Sequence, residues 1–137
     1  MNQESLAAHG QWKFAVENNL MMLTISGSFN AQGIQLMHKS IALQLADQRY
    51  IPDKAYVDAG HWALSTPDSE DAVRHLHARM KQIGLRRVAY AIANVHIRKT
   101  VLEQLWQAHP EVKRGYFSTP QEALNWLNND NQCDLTG

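Results

Sequence analysis

Residues 11–26, QWKFAVENNLMMLTIS, decide the fold. Trp12, Phe14 and Val16 alternate with Gln11, Lys13, Ala15 and Glu17, which is the period of a half-buried strand. Leu20 to Ser26 is a second apolar run, partly β-branched. Glu17-Asn18-Asn19 between them is a turn signal, so the pair reads as an antiparallel hairpin. Past Gly27 the period changes. Ile34, Met37, Ile41 and Leu45 recur at helical spacing after Asn30, a good N-cap, and the helix is expected to reach about Arg49. A hairpin that runs straight into a helix sets up an α/β domain.

Downstream the chain alternates. Residues 55–59 form a short apolar strand, and because a helix precedes it, a crossover and parallel pairing are expected. Residues 60–65 read as a loop. Thr66-Pro67 then opens a helix, with Thr66 as cap and Val73, Leu76, Met80 and Ile83 as its buried stripe. Residues 87–92 are another buried strand, and 93–96 a loop. Val101, Leu102, Leu105 and Trp106 mark a third helix. A last strand spans 112–117, and Thr119 with Glu122 has the form of a capping box before a fourth helix. The expected fold is α/β: one domain over residues 11–128, with a mixed five-stranded sheet and about four helices. Residues 1–10 and 129–137 are expected to be flexible arms.

Composition excludes several functions. Lysine plus arginine equals aspartate plus glutamate at 13 each, so the chain lacks the basic excess that nucleic acid or an anionic membrane surface would favour. Zero net charge gives no self-repulsion, so a homodimer is an allowed assembly. The lone Cys133 cannot form an internal disulfide, and no histidine pair on the second helix has ligand spacing. No metal or cofactor is expected. The start is not leader-like and the longest apolar run is far too short to span a bilayer, so the expected location is cytoplasmic.

Four segments, in this order, carry a resemblance. They are the strand pair ending at Gly27-Ser28-Phe29, the strand closing on Tyr56-Val57-Asp58, the strand Arg87-Val88-Ala89-Tyr90-Ala91, and the closing stretch from Tyr116 to Leu127. Together they resemble the SpoIIAA-like family, a branch of the STAS (anti-sigma-factor antagonist) domains also compared with CRAL-TRIO lipid-transfer domains. The resemblance implies a regulatory or binding module. It departs at one place. STAS antagonists switched by phosphorylation carry aspartate-serine-serine-glycine after the third strand, whereas this chain reads Leu64-Ser65-Thr66-Pro67-Asp68-Ser69. A phosphoserine switch is therefore not carried over.

In open α/β sheets, ligands bind beyond the carboxyl ends of the parallel strands. The loops there hold Asp58, His61, Trp62 and Ser65, then Asn94, His96 and Arg98, then Ser118. These eight are the candidate residues. The expected function is a non-enzymatic module that recognises a protein partner or a small apolar ligand. The alternative is a small hydrolase or transferase built from the His/Asp/Ser members of the rim. The competing bland reading is that Asp58 bonds backbone amides and the hydroxyls cap helices. Of the four tryptophans, Trp12 and Trp126 are expected in the core, while Trp62 and Trp106 are left open, an exposed Trp62 being the mark of a binding surface. His38, His75 and His77 are expected to be solvated surface residues.

Overall fold

The computed structural model describes residues 9–63 and 65–129. Most of the two arms, Leu64 and Cys133 lie outside these described residues. The elements are β1 (Gln11–Glu17), β2 (Leu20–Gly27), α1 (Ala31–Ala46), β3 (Lys54–Trp62), α2 (Glu70–Gln82), β4 (Arg87–Ile92), α3 (Val95–Leu105), β5 (Lys113–Phe117) and α4 (Pro120–Asn128), with a 3-10 turn at Pro67–Ser69 before α2. The five strands lie in sequential order. β1 and β2 are antiparallel, and β2–β3, β3–β4 and β4–β5 are parallel. The hairpin closes on Asn18 and Asn19, both at positive φ (52° and 63°), as a two-residue turn of the primed type requires.

Sequential strand order constrains the helices. Each parallel connection crosses in the same direction, and right-handed crossovers then return their helices to the same face. The side chains obey this. Met21, Ala55, Val57, Ala59, Val88, Tyr90 and Ile92 share one core with α1, α2 and α3. Tyr56, Ala89 and Ala91 face the opposite way and pack with Ala123 and Leu127 of α4.

Several boundaries differ from those the sequence pattern predicts. α1 ends at Ala46, three residues before Arg49. β3 extends through Gly60, His61 and Trp62, where the pattern predicts a loop. The reason is a bulge: Thr24 pairs with Asp58 but Ser26 pairs with His61, so β3 uses one more residue than β2. An isolated glycine in a strand pattern, here Gly60, is the signal for such a bulge. The extra residue resets the side-chain alternation, so Ala59 and Trp62 both enter the α1–α3 core. Thr66 is not a side-chain cap. Its hydroxyl donates to Asp68 and lies beside the Phe29 carbonyl, and the α-helix proper starts three residues after Pro67.

The start of α1 carries a second long-range tie. Asn30 Oδ1 accepts from Gly33 N at 2.9 Å, as an N-cap does, and also from His9 N at 3.0 Å. Gly33 is small for a reason, since a Cβ there would meet the His9 carbonyl oxygen at 1.8 Å. Asn30→Ala removes both bonds and leaves the first turn open. It should cost about 1–2 kcal/mol of stability, read from the urea midpoint at unchanged slope.

Candidate functional site

The eight rim residues do not form one site. Trp62, Ser65 and Arg98 converge. The Trp62 indole Nε1 donates to Ser65 Oγ at 3.2 Å, and Arg98 Nη1 donates to the Trp62 carbonyl at 2.7 Å. The Arg98 guanidinium also lies 5.2 Å from the Trp62 ring centroid. The other five take local roles. Asp58 Oδ1 accepts from Gly60 N within the bulge at 3.2 Å. Ser118 donates to Glu122 at the start of α4. Asn94 sits left-handed ahead of α3, and its carbonyl accepts from Ile97 and Arg98. His61 and His96 are exposed. Among the described residues no hydrogen bond or ion pair joins Asp58, His61, His96 and Ser118 to one another.

The more substantial site lies beneath that rim. Between the sheet and α1–α3 lies a partly open cavity of about 270 Å³. Its walls come from Met21, Ile34, Met37, Ala59, Leu76 and Leu102, among others, so they are mostly aliphatic. Ser65, Thr66, Ser69 and Glu70 also line it, and exposed Glu70 marks where it approaches the surface. Trp62 forms part of the wall. Met21 faces this cavity while Met22, the next residue in the strand, packs on the α4 side.

All four tryptophans pack on the core, to different depths. Trp62 and Trp106 are buried, at 7% and 2% exposure, while Trp12 and Trp126 are half-buried. Trp62 is drawn inward by the bulge. Trp106 is held by a polar column inside the core. Its Nε1 donates to the Tyr90 hydroxyl at 2.8 Å, and its ring stacks on His77 at 3.7 Å, nearly parallel. Tyr90 in turn stacks on Tyr116, whose hydroxyl donates to Glu103. Glu103 receives both Arg114 Nε, at 2.6 Å, and Arg114 Nη2, at 3.1 Å.

The charges of this column are settled by those contacts. The Arg114 hydrogen bonds hold the Glu103 carboxyl below its usual range, and Glu103 raises Arg114 in return. Burial, then the bond to Glu103, pushes the Tyr116 phenol far up. Burial pushes Tyr90 up to about 12. Across the sheet, burial and then the nearby Asp58 charge push Tyr56 up to about 12.

His77 is the clearest correction, since the sequence pattern predicts a solvated side chain. Burial lowers it to about 3, outweighing the bond to the Leu105 carbonyl at 3.1 Å. His109, Arg114 and Arg74 push the same way as burial. A carbonyl only accepts, so His77 Nδ1 carries the hydrogen and Nε2 the lone pair. The sequence does hold a signal: His77 lies four residues after Val73 and three before Met80, inside the helical stripe. The Glu103–Arg114 pair has none, because nothing local relates α3 to β5.

A buried neutral histidine makes stability depend on pH with a definite sign. Unfolded, His77 takes up a proton below about pH 6.5, but the folded group does so only near 3. Its contribution is complete above pH 6.5 and is lost as pH falls from there toward 3. The expected slope is about 1.4 kcal/mol per pH unit from this group. Urea unfolding at pH 7 and pH 5 should show it, and His77→Phe should flatten it. Equal slopes for the two proteins would refute the assignment.

No family model matches this chain, and no curated protein matches it. Solved structures do. An uncharacterized protein of the DUF3478 family with a SpoIIAA-like fold, from Shewanella loihica PV-4, superposes with a TM-score of 0.68. The two are 15% identical, over 87% of this chain and 95% of the other. An anti-sigma factor antagonist from Mycobacterium paratuberculosis superposes with a TM-score of 0.57 at 13% identity, over 85% and 92% of the two chains. At these identities the likeness speaks for architecture: the chain has a SpoIIAA-like fold.

Proposed function

We propose that this protein is a non-catalytic binding module that holds a small apolar ligand in the cavity between the sheet and α1–α3. The cavity volume carries the reading. Well-packed cores leave few voids larger than a water molecule. A pocket of about 270 Å³ leaves its apolar walls short of the contacts that a well-packed core makes. A ligand that supplies those contacts binds the folded state, so occupancy and stability are linked. The SpoIIAA-like family that the sequence resembles is itself compared with CRAL-TRIO lipid-transfer domains, which is in keeping with this reading. The lack of hydrogen bonding among Asp58, His61, His96 and Ser118 weighs against the hydrolase or transferase alternative.

A protein partner is the second reading, and one observation favours it. Leu36 and Leu43, two helical turns apart on α1, are 48% and 64% exposed. The buried Trp62 does not contribute to such a surface. Leu36→Glu with Leu43→Glu should abolish a partner interaction of this kind and leave ligand binding untouched.

The direct test uses nonane and naphthalene as probes. Both should raise the melting temperature and shift the Met21 and Met37 methyl resonances. At a hundred times the dissociation constant, stabilisation should reach about 2.7 kcal/mol. Ala59→Phe fills the cavity from the strand and should abolish both effects while raising the basal stability or leaving it unchanged. Absence of any methyl shift with either probe in the unmodified protein sinks the proposal.

A further inference from the structure

The cavity is apolar, but its wall carries one place with hydrogen-bonding capacity to spare. Tyr90, Trp106 and His77 all line it. Trp106 Nε1 can only donate, so the Tyr90 oxygen is the acceptor and the phenol keeps its own proton. Among the described residues that proton has no acceptor. His77 uses Nδ1 on Leu105 and retains a lone pair at Nε2. One donor and one acceptor therefore flank the same indole, on side chains at most 6% exposed. Buried groups of this kind are normally satisfied, and leaving them unpaired is costly.

The same wall offers nothing for a charge. Among the described residues, Glu70 is the charged member of the lining, and no lysine or arginine joins it. Outside the lining, Arg114 is engaged by Glu103, Lys99 lies over the Tyr116 ring and Arg98 over the Trp62 ring. His77 stays neutral at any ordinary pH. An anionic head seated against Tyr90 and His77 would be desolvated with no cation beside it in the lining.

We propose that the cavity selects an uncharged apolar molecule carrying one hydrogen-bonding oxygen, a ketone, aldehyde or alcohol, seated against Tyr90 and His77. This rests on the reading of the cavity as a ligand site and narrows it. A carboxylate is disfavoured at this place for want of a cation in the lining. Tyr90 O–H donates to the ligand oxygen, and His77 Nε2 accepts when that oxygen bears a hydrogen. Size sets the length. A cavity of about 150 Å³ holds benzene, so this one holds about ten non-hydrogen atoms.

The test compares 2-nonanone, nonane and nonanoate at pH 7, titrated against the full chain by methyl NMR. The ketone should bind at least about tenfold more tightly than the carboxylate. Tyr90→Phe should weaken the ketone by about fivefold or more and leave nonane within about twofold. Unchanged nonane affinity also reports that the variant cavity is intact. A second readout needs no variant: the carbonyl stretch of bound 2-nonanone should fall below its value in hexane. A stretch at the hexane value, or nonanoate binding as tightly as the ketone, overturns this inference while nonane binding keeps the cavity reading alive. Binding of none of the three overturns both.

Discussion

Everything in this molecule hangs on the handedness of its three parallel crossovers. With strands in sequential order, a connection of fixed hand has no choice of side, so α1, α2 and α3 fall on one face. The other face is left to the last helix. The two faces then solve their packing differently. β4 presents small residues, Ala89 and Ala91, toward α4, and α4 settles onto them until Ala123 and Leu127 are fully buried. β3 presents small residues too, Ala55, Val57 and Ala59, but toward three helices. Each of those helices is tethered at both ends to strands and braced by its neighbours. They cannot all close on the same small side chains, and volume remains.

The braces are partly polar. A salt bridge joins Glu103 of α3 to Arg114 of β5, and Trp106 at the end of α3 is held by Tyr90 of β4 and His77 of α2. Such contacts have directional geometry and a high cost of breaking, whereas apolar contacts slide. The column therefore fixes where α2 and α3 stand relative to the sheet. It also puts the core's hydrogen-bonding groups on the cavity wall. One set of interactions thus holds the cavity open and gives it chemical character.

Of the rim residues that strand topology points to, three come together. Trp62 and Ser65 line the cavity, and Arg98 bonds the Trp62 carbonyl and lies over its ring. The remaining polar residues of those loops cap, turn or face solvent. Polar side chains at strand ends are abundant in any such fold, and residue type alone does not separate those that converge from those that bond their own neighbours.

Local sequence suffices for the element order, the hairpin, the antiparallel-then-parallel sheet, the four helices and the capping residues Asn30 and Thr119. These are short-range properties: a period of two or of 3.6, a turn pair, a cap within three residues of its donor. The burial of Trp62, Trp106 and His77 belongs to the assembled fold. Trp62 turns inward because one added residue in β3 shifts its alternation against β2. Trp106 and His77 meet across two helices, and Glu103 finds Arg114 eleven residues away on a strand. The cavity is further still from the sequence. It is a space between elements whose positions are set by crossover handedness and by long-range polar contacts, and a volume left unfilled has no residue to encode it.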